Sequence, residues 1–158
     1  MVRAPFGVLT VVASDAGVRH VMFDHEAHPK PLHALDLVDA PHPVLDAACA
    51  QIDEYLSGAR RAFDLPLDLS GTGFQVDAWR ALARVPYGTT ATYAQQAASI
   101  GRPTATRAIG AANGRNPVAI VLPCHRIVGS DGSLTGFGGG LPVKKWLLEH
   151  ERRIVGGE

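Results

Sequence analysis

The sequence predicts an α/β protein in two parts, a small N-terminal α/β unit over residues 1–70 and a mostly helical C-terminal domain over 71–158 containing a helix-turn-helix. Three observations predict it. β-Branched runs cluster at the start of the chain, two capping-box openings fall after residue 70, and the charge balance reverses near that point. At 158 residues, 46% of them apolar, the chain is long enough to bury a core.

In the first part, Val8–Ala13 and Val18–Phe23 are apolar runs joined by Ser14-Asp15-Ala16-Gly17, which reads as a hairpin. From Pro43 to Leu56, the apolar residues Val44, Leu45, Ala48, Ile52, Tyr55 and Leu56 recur on one helical face, and Gly58 falls where a C-cap belongs. Cys49 lies inside this helix, where a small buried thiol is the expectation rather than a reactive one. Phe63–Leu69 alternates well enough for a strand that joins the hairpin and closes the unit.

In the second part, Thr72-Gly73-Phe74-Gln75 is a capping box that opens a helix through Trp79 and Leu82, both assigned to core. Pro86-Tyr87-Gly88 stops this helix. Thr92-Tyr93-Ala94-Gln95 is a second capping box; its helix ends near Ile100-Gly101, and Pro103 suits the first turn of another helix running to Asn113. Two short helices joined by a few residues containing Gly form a helix-turn-helix, a pattern that many cores also contain without touching DNA. Pro117–Leu122 predicts a short strand aimed at Pro123-Cys124-His125. After it come a loop holding Gly129, Gly132, Gly136, Gly138, Gly139 and Gly140, and a helix from Pro142 to Glu151. No Gly-Lys-Ser/Thr follows these glycines, so they are not a phosphate loop; close backbone approach to a flat ligand, or a mobile lid, fits them better.

Composition narrows the function classes. No run approaches the roughly 20 apolar residues of a membrane span, and Met1-Val2-Arg3-Ala4-Pro5 lacks a secretory signal's apolar run, so a soluble cytoplasmic protein without a membrane partner is expected. Cys49 and Cys124 read as reduced thiols rather than a lone disulfide, and the seven histidines show no zinc spacing, so neither metal nor cofactor is inferred. Net charge is formally zero, yet residues 1–70 hold five basic and ten acidic side chains and residues 71–158 hold ten basic and five acidic. Between Asp77 and Asp131 there is no acid, while Arg80, Arg84, Arg102, Arg107, Arg115 and Arg126 fall there. Such an interval suits a polyanion, or simply a solvated basic face.

The candidate nucleophile is Cys124. A thiol works near neutral pH only if a base, a cation or a helix end lowers its pKa, and His125 and Arg126 adjoin it. Neighbours in an extended strand point to opposite faces, so His125 reaches the thiol only if the backbone turns or a water bridges them. Glu149 and Glu151 are both candidates to orient the imidazole. A Cys-His dipeptide alone is more often incidental than catalytic.

The ordered motifs supply what the dipeptide lacks. Gly73-Phe74-Gln75 with Trp79, Val85-Pro86-Tyr87-Gly88 with Thr90 and Tyr93, Arg107-Ala108-Ile109-Gly110, Asn113-Gly114, Asn116-Pro117, Pro123-Cys124-His125-Arg126-Ile127-Val128 and Leu147-Leu148-Glu149-His150-Glu151 run through almost all of residues 71–151. In these the chain resembles the O6-alkylguanine-DNA alkyltransferase family, the methylated-DNA-protein-cysteine methyltransferases. The first 70 residues resemble it loosely, through Ala4-Pro5-Phe6-Gly7.

The resemblance implies a ribonuclease H-like N-terminal unit, a winged-helix-like C-terminal domain, and a monomer when free that binds the minor groove of double-stranded DNA carrying O6-alkylguanine. It implies stoichiometric, irreversible transfer of the alkyl group, from O6-alkylguanine and also O4-alkylthymine, to Cys124. Glu151 would hold His125, which draws the thiol proton through a water. Tyr93 would hydrogen-bond the guanine and help turn the nucleotide out of the duplex, and Arg107 would fill the vacated stack. Thr90 and Arg102 would join Tyr93 and Arg107 on the DNA, Asn113, Ile127, Phe137 and Gly138 would surround the base, and Asn116 would brace the turn before the active-site segment. Phe137 stands where many family members have Tyr, which takes a hydroxyl from the alkyl pocket; Ala78 replaces the usual Val. A cysteine hydrolase using Cys124, His125 and Glu151 would need no DNA and would leave the acid-free interval unexplained. A non-catalytic lesion sensor would have replaced Cys124.

Overall fold

The computed structural model describes residues 1–26 and 36–157. Strands β1 (Val2–Ala4), β2 (Gly7–Ser14) and β3 (Gly17–Phe23) form an antiparallel sheet in that order. The β2–β3 hairpin is the predicted one, while β1 is too short to carry a periodic signal. Helix α1 (Pro43–Ser57) packs on this sheet through the face that buries Ala48, Ile52 and Tyr55. Its N-cap is His42, whose Nδ1 accepts from Val44 N while Nε2 meets Asp15 in the hairpin turn. Gly58 ends it at φ 87°, a left-handed conformation that glycine adopts without a Cβ clash.

The strand expected over Phe63–Leu69 is instead a single bridge, Val18 to Leu67, with Val18 N donating to Pro66 O and Asp68 N to Val18 O. Pro66 has no N–H to give, so the ladder has no donor at that residue with which to extend.

Helices α2 (Gly73–Leu82) and α3 (Tyr93–Ser99) open on complete capping boxes at Thr72/Gln75 and Thr92/Gln95, as predicted. Helix α4 (Thr106–Gly114) begins later than expected. Pro103 lies in a turn closed by Ala105 N donating to Arg102 O, and Ala105 is still non-helical, so the proline precedes the helix instead of opening it. The three helices meet over Ala78, Ala97, Ile109 and Ala112. Small residues let the helices come close, and a reciprocal amide pair between Gln96 and Asn113 locks α3 to α4. Trp79 donates its indole N–H to Ala112 O, so Trp79 and Leu82 are core, as assigned.

Two short parallel strands, β4 (Ala91–Thr92) and β5 (Ile127–Val128), connect the start of α3 to the segment after Cys124, and α5 (Leu141–Val155) closes the chain. Residues 117–122 are not the predicted strand. They contact β3 through one bridge, Val21 to Val118, and then turn sharply at Ile120, whose φ is 72°. That conformation strains a β-branched residue and is held by its surroundings. The main apolar core draws on both sides of residue 70, with Leu9, Val18, Ile52 and Tyr55 packed among Leu82, Val118, Ile127 and Leu147.

Candidate active site

Cys124–Arg126 form one turn of 3-10 helix, entered from Pro123 and followed directly by β5. The turn resolves the difficulty of two neighbours sharing one task, because the backbone no longer sends Cys124 and His125 to opposite faces. Asn116 braces the approach: its Nδ2 donates to Leu122 O at 2.8 Å and its Oδ1 accepts from Val118 N at 3.0 Å. A sharp turn at Ile120 and a bracing amide at Asn116 thus set where the thiol lies.

Glu151, on α5 and fully buried, is the hub of the site. Its Oε1 accepts from Arg126 Nε at 2.8 Å and from Gly88 N at 3.1 Å. Its Oε2 accepts from His125 Nε2 at 2.6 Å, Tyr55 Oη at 2.6 Å and Arg126 Nη2 at 3.0 Å. Of the two carboxylates that the sequence offers, the structure selects Glu151; Glu149 is exposed and lies near Lys145. Burial alone would raise the Glu151 pKa, but the hydrogen bonds from His125 and Arg126 and the Arg126 charge outweigh it and hold the carboxyl far below the usual range. Glu151 is therefore an ionised acceptor.

That ionisation fixes the histidine. An ionised carboxylate only accepts, so Nε2 carries the imidazole proton and Nδ1 presents a lone pair. Burial lowers the His125 pKa against the opposing pull of Glu151, which keeps the ring neutral near pH 7. Nδ1 is buried with no hydrogen-bond partner among the described residues. Burial also pushes the Cys124 thiol up, while a hydrogen bond from Asn116 and the charge of Lys144 act the other way. The thiol is thus protonated at rest and needs a base, and a neutral imidazole with an unused lone pair is its chain neighbour.

A cavity of about 520 Å³, within the range of small-molecule sites, is lined by Tyr93, Arg107, Gly110, Thr135, Phe137 and Gly138 among others. Tyr93 opens α3, and its hydroxyl meets Thr135 Oγ1 at 2.6 Å across the cavity wall. Phe137 meets Phe23 edge-on at 5.4 Å. Tyr93 and Phe137 both pack against the buried cluster that includes Cys124. Arg107, Arg102 and Thr90 are exposed.

Two residues expected around the base sit differently. Asn113 is buried and spends its amide on Gln96, so it joins helices instead of lining the cavity. Ile127 is fully buried, and its carbonyl already accepts from Lys144 Nζ at 2.6 Å. Cys49, expected to be buried, is half-buried on α1 and packs against the main core.

From the sequence, Tyr55 reads only as a core residue, Gly88 only as part of a helix stop and Arg126 only as a cation, while Thr135 and Lys144 have no reading. Lys144 was detectable, since a lysine stands on the apolar stripe Lys144, Leu147, Leu148, Glu151 of α5. Its ammonium is buried and ties the glycine loop to β5, through Thr135 O and Ile127 O. Among the described residues, no group of three His, Cys, Asp or Glu could hold a metal ion, and no helix is long and apolar enough to cross a membrane.

A small sheet unit followed by a helical domain that carries a buried cysteine next to a His-Glu pair is an arrangement with known relatives. The family model described as 6-O-methylguanine DNA methyltransferase, ribonuclease-like domain, matches residues 1–69, and its DNA binding domain matches residues 73–153. The chain belongs to the 6-O-methylguanine DNA methyltransferase family. It is 40% identical to a methylated-DNA-protein-cysteine methyltransferase of Methanosarcina barkeri over 96% of this chain and 94% of that one. A protein of the same name from Mycolicibacterium paratuberculosis is 43% identical over 96% and 90% of the two chains. Among solved structures, Mycobacterium tuberculosis OGT in complex with DNA aligns with a TM-score of 0.88 at 38% identity, covering 97% of this chain and 91% of that chain.

Proposed function

We propose that this protein repairs alkylated DNA by moving the alkyl group from guanine O6 onto Cys124 Sγ, once per molecule. The observation that carries this reading is the unpartnered Nδ1 of His125, a residue whose Nε2 is held by Glu151 and which follows Cys124 in one turn. His125 draws the thiol proton through a water. Sγ then attacks the carbon attached to O6, the S–C bond forms as the C–O6 bond breaks, and the electron pair and proton end on the guanine. The thioether has no easy leaving group, so the protein is consumed.

Delivery of the base belongs to the helix pair. Tyr93, at the start of α3, hydrogen-bonds the guanine ring, and Arg107 on α4 enters the minor groove to replace the extruded nucleotide. Both line one cavity, which supports their acting on the same nucleotide. Thr90 and Arg102 contact the phosphates on either side, and Phe137 and Gly138 border the alkyl group. Extrusion costs a few kcal/mol, least for a weakly paired base, and alkylation at O6 weakens pairing with cytosine. O4-alkylthymine is a second substrate of the same chemistry, and the free protein is a monomer.

The reading is tested by titrating a duplex that carries a single O6-methylguanine with increasing protein. Repair that stops at one lesion per protein molecule is the expected result. Repair of many lesions by one molecule would refute it in favour of a hydrolase.

A further inference from the structure

Four of the five hydrogen bonds to Glu151 come from His125, Arg126 and Gly88, all in the C-terminal part of the chain. The fifth comes from Tyr55, on helix α1 of the N-terminal sheet unit, 96 residues away in sequence. We propose that Tyr55 is a positioning residue of the alkyl-transfer reaction, through which the N-terminal unit sets how strongly Glu151 pulls on His125. This rests on the reading of His125 as the base for Cys124.

The geometry leaves Tyr55 little freedom. Its side chain is fully buried, and its ring is fixed by Phe63, Tyr87 and His150 at centroid distances of 5.7, 6.0 and 5.5 Å. The backbone of the same residue is tied to α5 as well, since His150 Nε2 donates to Tyr55 O at 2.8 Å. Consecutive residues of α5 region 150–151 therefore grip the two ends of Tyr55. Burial and the neighbouring carboxylate push the phenol pKa well up, so its proton stays on and the hydroxyl is a permanent donor.

The hydroxyl donates to Oε2, the oxygen that also accepts from His125. A donor on that oxygen draws off negative charge and weakens the carboxylate's hold on an imidazolium. His125 then stays neutral to lower pH, and its Nδ1 remains available to the thiol. With a phenylalanine at this position Oε2 is left more basic, His125 becomes easier to protonate, and the base is lost at higher pH. The other titratable groups around this pair are Cys124, Arg126, Lys144 and His150, with Tyr87 and the Arg61 above it; Glu26 acts on Cys124 at longer range. None is altered in the test.

The experiment measures transfer from free O6-benzylguanine to Cys124 between pH 5 and 9, which removes DNA binding from the rate. Three proteins are compared: the unsubstituted chain, Tyr55→Phe, and a protein with 3-fluorotyrosine placed at residue 55 by codon suppression. The substitution should move the rising limb of the pH profile up by about one unit, whereas the fluorinated phenol, a stronger donor of the same shape, should move it down. The fluorinated protein keeps the test available if Tyr55→Phe fails to fold. A limb that stays in place in each folded variant overturns the proposal, whatever happens to thermal stability. Failure of the unsubstituted chain to become alkylated would instead refute the reading of Cys124 as the acceptor.

Discussion

Glu151 concentrates the electrostatics of the molecule in one buried side chain. Arg126 binds it through two nitrogens, the geometry that makes arginine suited to a buried carboxylate, and its third nitrogen is satisfied by Val85 O. Breaking such a pair leaves a charge without its partner, so Glu151→Gln should cost about 3–5 kcal/mol, read from chemical denaturation. The pH dependence has a definite sign. The folded pKa of Glu151 is depressed, so its contribution is complete above the unfolded carboxylate value of about 4.3 and is lost as pH falls toward the folded value. His125, also depressed, contributes in the same sense below about 6.5. The unsubstituted protein should therefore lose stability steadily on acidification, and Glu151→Gln should flatten the part of that loss below about pH 4.3. An equally steep loss in the variant would mean that other groups carry it.

Helices α3 and α4 carry Tyr93 and Arg107, the residues proposed to meet DNA, on a small-residue core, so the pair acts as one rigid piece pinned by Gln96 and Asn113. Arg107 is exposed on α4 at the rim of the cavity, with no role in holding the helices together. Arg107→Ala should accordingly slow repair of O6-methylguanine in duplex DNA by at least about tenfold, while reaction with free O6-benzylguanine stays nearly unchanged. Equal losses on both substrates would remove Arg107 from nucleotide extrusion. The capping boxes at Thr72 and Thr92 were legible because the motif is written within four residues, where side chain and backbone satisfy each other locally. The strands expected at 63–69 and 117–122 were not. Each has a strand-like composition, but a proline without an N–H interrupts one, and a left-handed turn at Ile120 braced by Asn116 bends the other.

Across the whole molecule, the two parts that the sequence distinguishes by charge share an apolar core and a hydrogen-bonded centre. The pairing of His125 with Glu151 was legible through the motif that Glu151 ends, while the residues alone left Glu149 as an equal candidate. Tyr55 was readable only as a core residue, since its partner is remote in sequence and nothing local distinguishes a phenol that packs from one that also donates. Asn113 was misplaced for the converse reason, because its motif adjoins the cavity while its amide faces Gln96. The sheet unit supplies, through Tyr55, the fifth hydrogen bond on the carboxylate that accepts from His125.

The central claim is that Cys124 keeps what it removes. The direct measurement is mass spectrometry of the Cys124 peptide after incubation with a duplex carrying O6-methylguanine, with Cys49 as the internal control thiol. One methyl group on Cys124, none on Cys49, and restored guanine in the DNA are predicted; restored guanine with an unmodified Cys124 would contradict the account.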